Sequence, residues 1–345
     1  MKSPLSHVKK LLVVLPSWIG DMVMCTPSLR ALRRDLPETC IECVGKPVLE
    51  PLIAGLPSVD AFHAHTMKGW LGPFTHASHF RKMKFDGVLL LPNSPRSALF
   101  ALATGAHTRI GWARDGRGWM LSHGLPQSKG GRPVSAVDAY ADLVAWATQT
   151  PVTDRTVQLT CTPEQLIAGE KLLAGLARPI SIFNPGANRA DKRWSAEHFG
   201  SLAKRLLTAH NGTVAVTGSP SEAEVVAGVV KASGQTAINL MDRGVSLESL
   251  KGAIRLADLV VTNDTGPRHL AAGLGTRCVC LFGPTDPRWT LLHEPAGSIR
   301  EIHVVAEPFL PAQLVADRLG SYCGMDRISV GDVTHACLQL LQLPR

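Results

Sequence analysis

Short apolar runs alternate with longer amphipathic segments through the second half of the chain, and this alternation is the feature that most constrains the fold. Ser195, Ser219 and Ser246 stand where helix N-caps are expected, and Ser219 to Glu222 fits a capping box with proline at the first helical position. The predicted strands are residues 180–183, 213–217, 237–240, 259–262 and 277–282. Strict alternation of strands and helices is typical of a parallel, doubly wound α/β sheet.

The first half begins with the same pattern. Leu11 to Leu15 predicts a buried strand, and residues 22–36 predict an amphipathic helix with Pro27 near its first turn or at a kink. Further strands are predicted at residues 40–44 and 87–91, and a helix at 134–148. Residues 105–132 are rich in Gly, Arg and Trp and predict loops, and residues 149–178 form the crossing to the second half.

The length favours two domains, since a typical domain has about 150 residues. We expect Rossmann-like domains over residues 1–165 and 166–325, and a last helix over 326–345 that packs back on the first domain. Two doubly wound halves place a cleft between them, with the ligand loops at the carboxyl ends of the strands.

Composition excludes several classes of protein. The chain carries 36 Lys+Arg and 28 Asp+Glu, and the difference 36 − 28 gives +8, yet no nucleic-acid-binding motif accompanies this charge. No apolar run approaches the roughly 18 residues that span a bilayer, and the N-terminus lacks a signal-peptide pattern. We therefore expect a soluble, cytoplasmic protein without nucleic acid as a partner.

Cysteines and histidines predict neither a redox site nor a metal site. Eight cysteines are too few for a disulfide scaffold, and Cys40 and Cys43 lie three apart on a predicted strand, on opposite faces. The pairs His63/His65 and His76/His79 have no cysteine or acidic cluster beside them, so surface or loop histidines are favoured over a metal centre.

Polar and glycine residues cluster where four predicted strands end and helices begin, at residues 17–21, 184–187, 218–219 and 263–266. Helix N-termini bind anions, and glycines allow close backbone approach. Any one of these loops is explained by ordinary turn chemistry. Several loops on one predicted edge favour a site for a phosphorylated ligand in the second half.

The standard nucleotide and hydrolase signatures are missing. The sequence contains no P-loop, no G-x-G-x-x-G after the first strand, no Asp-x-Asp pair and no G-x-S-x-G. A bound diphosphate would then be neutralised by Lys192, Arg193 and helix dipoles, without a dedicated metal. Asp21 has two interpretations that the residues leave open, a favourable acid in a first helical turn or a general base.

Three ordered motifs resemble glycosyltransferase family 9, the ADP-heptose:lipopolysaccharide heptosyltransferases. They read SWIGDMVMCTPSLRALR, PGANRADKRWSAEHFGSLAKRL and VTNDTGPRHLAAGLGTRCVCLFGPTDP, and TRIGWARDGRGWML resembles a loop of the family's N-terminal domain. The resemblance implies a GT-B fold, with an acceptor-binding first domain and a donor-binding second domain. It implies inverting, metal-independent transfer of L-glycero-D-manno-heptose from ADP-heptose to the inner core of lipopolysaccharide, with no cofactor.

The resemblance also implies roles for particular residues. Asp21 matches the catalytic carboxylate, Lys192 the lysine on the donor diphosphate, and Asp264 the aspartate that holds the heptose hydroxyls. The other implied donor residues are Gly186, Asn188, Glu222 near the ribose, Met241 near the adenine, Thr265 and Gly266 with backbone N–H groups on the diphosphate, and His269 near the phosphates. The implied acceptor-side residues are Ser17, Gly20, Arg109 and Arg117.

Pro267 and Arg268 depart from the family pattern, and Arg268 is expected either to contact a phosphate or to face solvent. The basic stretch from Arg109 to Arg132, with Lys9 and Lys10, suggests an anionic lipopolysaccharide acceptor and peripheral contact with the inner membrane surface. Two alternatives stay open. One is a family member that uses another nucleotide sugar or acceptor, and the other is a non-catalytic protein that binds nucleotide or glycan.

Overall fold

The computed structural model describes residues 2–66, 72–126, 134–306 and 324–343. By its internal contacts the chain divides into two compact units, residues 1–157 and 158–345. The boundary expected at residue 165 falls inside a helix, Pro163–Leu172, which begins with a capping box formed by Thr162 and Gln165. Among the described residues, no helix is long and apolar enough to cross a membrane.

The first unit is built on a parallel sheet whose described strands run in the order β3-β2-β1-β4-β5-β6. The strands are β1 (Lys10–Val14), β2 (Cys40–Gly45), β3 (Ala61–Ala64), β4 (Gly87–Leu90), β5 (Thr108–Ala113) and β6 (His123–Pro126). The helices are α1 (Ile19–Met24), α2 (Thr26–Asp35), α3 (Glu50–Ile53), α4 (Gly72–Lys82), α5 (Pro95–Thr104) and α6 (Ala136–Thr148). Apart from Lys10 at the start of β1, the central strands β1 and β4 are apolar and buried on both faces, because helices cover both sides of the sheet.

The helix predicted over residues 22–36 is two helices, α1 and α2, that meet at Cys25. Pro27 lies in the first turn of α2, where its missing N–H leaves no intrahelical bond unmade. The break leaves α1 as a separate six-residue helix after β1, and α1 carries Asp21.

The loop prediction for residues 105–132 is wrong for much of its length, because β5 and β6 lie there. Gly124 explains the error. A Cβ at this position would lie 2.9 Å from the Ala113 Cβ, so close packing of the two strands requires glycine. Glycine in a sequence usually predicts the end of a strand, whereas Gly124 allows β5 and β6 to pack closely. Residues 127–132 lie outside the described ranges.

The second unit has the described strand order β12-β11-β10-β7-β8-β9, also parallel. The strands are β7 (Ile180–Asn184), β8 (Thr213–Val216), β9 (Ile238–Asn239), β10 (Leu259–Asn263), β11 (Cys278–Phe282) and β12 (Glu301–Val305). The helices are α7 (Pro163–Leu172), α8 (Ala196–Ala209), α9 (Ala223–Ala232), α10 (Leu247–Leu256), α11 (Gly266–Leu274) and α12 (Val330–Gln342). The caps predicted at Ser195, Ser219 and Ser246 are confirmed.

The last helix, α12, belongs to the second unit. Its Cys337 and Leu340 are buried in that unit's core, and the Trp194 indole donates to the Ile328 carbonyl just before the helix, at 3.0 Å. The apolar stripe of this helix therefore packs beside α8 in the helical layer over the second unit's sheet.

Two glycines allow the backbones of α7 and α10 to contact each other directly. A Cβ on Gly169 would lie 2.3 Å from the Gly252 carbonyl carbon, and one on Gly252 would lie 1.9 Å from the Gln165 carbonyl oxygen. Both obstacles are backbone atoms, so a side chain at either position forces the helices apart.

We therefore expect Gly252→Ala to lower the free energy of unfolding by about 1–3 kcal/mol or more, as overpacking does. Urea unfolding followed by circular dichroism measures the change. Gly331→Ala, in α12, is the matched control, because the nearest atom to its Cβ is the Ser329 hydroxyl at 3.5 Å. Equal midpoints for the two variants would contradict this account of the α7–α10 contact.

Candidate functional site

Asp264 lies at the carboxyl end of β10, where side chains from three neighbouring segments converge on its carboxylate. Lys192 Nζ lies 3.4 Å from Oδ2, and Arg268 Nη1 lies 3.3 Å from Oδ1. The Thr285 hydroxyl donates to Oδ2 at 3.2 Å and the Thr290 hydroxyl to Oδ1 at 3.4 Å. The structure thus brings together Lys192 and Asp264, which are 72 residues apart in sequence.

The charge on Asp264 is set by its neighbours. Burial alone would raise its pKa, but Arg268 and Lys192 outweigh burial, and the pKa is lowered. The carboxylate is therefore ionised at neutral pH. Of the two cations, Arg268 is fully buried, whereas the Lys192 side chain keeps 20% of its surface exposed. Lys192 is the cation that a ligand at this edge can reach.

Arg268 is fully buried, so the expectation that it faces solvent is wrong. Its Nε lies 2.6 Å from Glu301 Oε1 and its Nη2 lies 3.0 Å from Oε2, a bidentate ion pair. The guanidinium also lies 4.9 Å from the centre of the Phe282 ring. Burial would raise the pKa of Glu301, but Arg268 and His303 overcome it and lower the pKa to about 2.

Asn263, the last residue of β10, fixes the loop that follows β7. Its Nδ2 donates to the Pro185 carbonyl at 2.8 Å and to the Gly186 carbonyl at 3.2 Å, while its Oδ1 accepts from the Trp194 N–H at 3.2 Å. Because Asn263 is fully buried, these bonds are shielded from water. The Lys192 segment is thereby held at both ends against β10.

Gly186 and Glu222 are in direct contact. A Cβ on Gly186 would lie 2.1 Å from Glu222 Oε1, so this glycine is required for close approach. The other carboxylate oxygen accepts from the Ser219 N–H at 2.7 Å and from its hydroxyl at 2.8 Å. Asn188, on the same loop as Gly186, is exposed. Met241 packs partly buried against the core of the unit.

The helix α11 begins at Gly266 after Thr265, which makes no side-chain cap to the helix. The Thr265 hydroxyl bonds instead to Asn263 and Thr262. His269, one turn into the helix, is buried, and its Nδ1 has no hydrogen-bond partner among the described residues. Burial, with Arg268 beside it, lowers the pKa of His269 to about 4, so the imidazole is neutral at physiological pH.

In the first unit, Asp21 lies in α1 and pairs with a tyrosine of α6. Burial raises the pKa of Asp21, and a hydrogen bond with the Tyr140 hydroxyl opposes this rise without cancelling it. The same surroundings raise the pKa of Tyr140 above its usual value, so the phenol keeps its proton. Ser17 is exposed just before α1, and Gly20 is half-buried in its first turn.

Arg109 and Arg117 are committed to backbone carbonyl groups. Arg109 donates to the carbonyls of Met120 at 2.9 Å and Ala106 at 2.6 Å. Arg117 is fully buried and donates to the carbonyls of Trp112 at 2.8 Å and Pro92 at 2.6 Å. Burial lowers the pKa of Arg117 to about 10. Both arginines therefore brace loops of their own unit.

Within the described ranges, no group of three or more His, Cys, Asp or Glu residues is arranged to hold a metal ion. The histidines are in regular structure more than in loops: His63 lies in β3 and bonds Glu42 at 2.5 Å, and His76 and His79 lie in α4. The rings of His65 and His76 contact each other, with centroids 3.6 Å apart.

Sequence reasoning missed three hydroxyl partners of Asp21 and Asp264, namely Tyr140, Thr285 and Thr290, and it missed Glu301, which pairs with Arg268. Thr285 lies in the GPTDP segment that ends β11, so its place at a strand end was a usable signal. Glu301 begins an apolar run at β12, where a charged residue indicates a buried partner, but nothing in the sequence identifies that partner as Arg268.

Comparison with known proteins adds independent information. A model of glycosyltransferase family 9 (heptosyltransferase) matches residues 74–312. The chain is 30% identical to lipooligosaccharide heptosyltransferase 2 of Haemophilus influenzae over 343 residues, covering 94% of this chain and 95% of that protein. It is 28% identical to lipopolysaccharide heptosyltransferase 2 of Salmonella typhimurium over 295 residues, covering 81% and 84%.

The solved structure of E. coli ADP-heptose lipopolysaccharide heptosyltransferase II is similar, with a TM-score of 0.79 and 26% identity, covering 96% of this chain and 98% of that one. The fold of two Rossmann-like parallel-sheet units is therefore that of the GT-B glycosyltransferases, as the motifs implied.

We expect Arg268→Met to lower the free energy of unfolding by about 3–5 kcal/mol, because it leaves buried carboxylates without their cation. The double variant Arg268→Met/Glu301→Gln should recover much of this loss, since it removes one of the stranded charges. Arg189→Met is the control, because its ion pair with Asp191 is exposed and worth at most about 1 kcal/mol. If the double variant were no more stable than Arg268→Met, the ion pair would not explain the effect.

Proposed function

Since this chain belongs to glycosyltransferase family 9, the heptosyltransferases, we propose that it transfers L-glycero-D-manno-heptose from ADP-heptose to the inner core of lipopolysaccharide. The relatives that support this are named as heptosyltransferases of lipopolysaccharide or lipooligosaccharide, and the similarity spans most of each chain. The observation that carries the proposal is the meeting of Lys192 and Asp264 at one sheet edge, at the two positions that the motifs match to the donor.

Lys192 and Asp264 bind different parts of the donor. The partly exposed ammonium group of Lys192 pairs with the diphosphate, and the ionised Asp264 accepts hydrogen bonds from heptose hydroxyls. The backbone N–H groups of Thr265 and Gly266, at the start of α11, add donors for the phosphates. His269 acts as a neutral imidazole, because its lowered pKa keeps it uncharged.

The loops after β7, β8 and β9 bind the nucleoside part of the donor. Glu222 is held by Ser219, which orients its carboxylate before a ribose arrives. Gly186 leaves room beside that carboxylate, with the exposed Asn188 on the same loop. Met241 offers a flexible apolar contact to the adenine.

The reaction is a direct displacement with Asp21 as general base. Asp21 takes the proton of an acceptor hydroxyl while that oxygen forms a bond to the anomeric carbon and the bond to the ADP oxygen breaks. The electron pair leaves with ADP, and Lys192 stabilises the charge that develops on it. Because the attack is opposite to the leaving group, the anomeric configuration inverts. Burial of Asp21 raises its pKa and makes it a stronger base than an exposed aspartate.

The first unit binds the acceptor, and Ser17 and Gly20 precede Asp21 in the segment that begins α1. Arg109 and Arg117 shape this side indirectly, because their guanidinium groups hold backbone carbonyls. Lys10 is likewise paired, with Glu42 at 3.1 Å. The charge of +8 still favours an anionic lipopolysaccharide acceptor at the cytoplasmic face of the inner membrane, through the basic residues that remain exposed.

The decisive experiment is mass spectrometry of the products formed from ADP-heptose and truncated lipopolysaccharide cores by the purified full chain. We expect a gain of one heptose, and its loss in Asp21→Asn with ADP-heptose binding retained. Glu38→Gln, at an exposed acid of the same unit, is the matched control and should transfer normally. Transfer should also survive EDTA, since Lys192 and helix α11 carry the diphosphate. Transfer only from a GDP- or UDP-sugar, or EDTA inhibition reversed by magnesium, would contradict these assignments.

A finer prediction concerns the pH dependence. The hydrogen bond from Tyr140 lowers the pKa of Asp21, so its removal in Tyr140→Phe raises that pKa further. The base is active when ionised, and the acid limb of the kcat/KM profile should therefore move to higher pH in Tyr140→Phe. Thr148→Val, which removes a hydroxyl from the same helix α6, should leave the profile in place. An unshifted acid limb in Tyr140→Phe would refute the coupling.

A further inference from the structure

Trp18 occupies a position where a helix normally has a different residue. It is the N-cap of α1, and its side chain makes no capping hydrogen bond. Ser, Thr, Asp and Asn are preferred at this position because their oxygens bond the free N–H groups of the first turn. The indole is also 64% exposed, so it gains little from burial in the core. Folding alone therefore gives no reason for tryptophan here.

Lys46 lies over the same indole. Its Nζ is 5.6 Å from the centre of the Trp18 ring, within the range of a cation–π contact. Trp18 follows β1 and Lys46 follows β2, and these two strands are parallel neighbours in the sheet. An exposed aromatic surface and a cation thus meet at the carboxyl edge of the first unit's sheet.

This pair adjoins Asp21. Trp18 and Asp21 are three residues apart, and the Met22 N–H donates to the Trp18 carbonyl at 2.9 Å, which closes the turn between them. Side chains three apart in a helical turn lie on the same side. The Asp21 carboxylate is bonded to the Tyr140 hydroxyl of α6 and to the backbone N–H of Asp21 itself, so it lies in the turn that Trp18 begins.

We propose that Trp18 and Lys46 form a subsite for the acceptor. This inference rests on the proposed transfer to an anionic core oligosaccharide. The indole stacks on the C–H face of an acceptor sugar. The Lys46 ammonium pairs with an anionic group of the same oligosaccharide, a carboxylate or a phosphate. The subsite orients the acceptor hydroxyl toward Asp21 and discriminates among core oligosaccharides by their charge.

Two measurements on the full chain test this subsite. The first is calorimetric titration with core oligosaccharide alone, and the second is the KM for core and for ADP-heptose during turnover. Trp18→Ala should weaken core binding about tenfold, as loss of a buried aromatic anchor does. Trp18→Phe should retain most of the affinity, and the KM for ADP-heptose should be unchanged in both. Ile167→Ala, equally exposed but in the second unit, and Lys204→Gln, an exposed lysine of α8, serve as controls.

The source of the anionic group is resolved by changing the acceptor. Lys46→Gln should raise the KM for intact core, and this effect should vanish with the acceptor that lacks the group Lys46 binds. Methyl-esterified core removes carboxylate charge and dephosphorylated core removes phosphate, so the arm that abolishes the effect identifies the group.

Several outcomes would overturn the subsite. They are core affinity of Trp18→Ala equal to that of the controls, an effect on ADP-heptose KM as large as that on core KM, or no binding of core by the wild-type chain. The titration needs no donor, so it decides the subsite even if ADP-heptose is not the substrate. Failure of wild-type transfer with normal core binding would instead refute the proposed function and leave the subsite supported.

Discussion

The buried guanidinium of Arg268 is the interaction on which the carboxyl edge of the second sheet depends. It joins Asp264 after β10 to Glu301 at the start of β12, and it donates to the Thr290 hydroxyl between them at 2.8 Å. A buried cation is costly unless its charge and donors are satisfied, and here two carboxylates and a hydroxyl satisfy them. These contacts of Arg268 therefore keep Asp264 ionised and in one orientation within the candidate site.

The two aspartates of the proposed reaction have opposite environments. The Asp264 side chain is buried among cations, which lower its pKa, whereas Asp21 is half-buried with a neutral phenol beside it, and its pKa is raised. The first is suited to accept hydrogen bonds without taking a proton, and the second is suited to take one. Carboxylates whose surroundings separate their pKa values in this way serve different roles in a reaction. The distinction follows from Arg268 and Tyr140, not from the aspartates themselves.

The features that could be predicted from the sequence depend on residues that are close together along the chain. The strands of the second unit and the helix caps at Ser195 and Ser246 follow from periodicity and capping chemistry within a few residues. The motifs gave the family and fold, and they placed Lys192 and Asp264 in one site. The pairing of Arg268 with Glu301 spans 33 residues and depends on which strand lies beside which, so it could not be read from either residue. The same holds for β5 and β6, where glycine marked a close contact instead of a turn.

The first unit uses its arginines differently from the expectation based on charge. Arg117 is buried and donates to the Pro92 carbonyl after β4 and to the Trp112 carbonyl near the end of β5, and Arg109 donates to the Met120 carbonyl before β6. A guanidinium bound in this way makes loops rigid, because each carbonyl it holds loses its freedom to move independently. In the proposed reaction, recognition of the acceptor is then left to other side chains at the carboxyl edge of this sheet. In the proposed subsite these are the exposed indole of Trp18 and the half-buried Lys46, whose ammonium group lies over the indole ring.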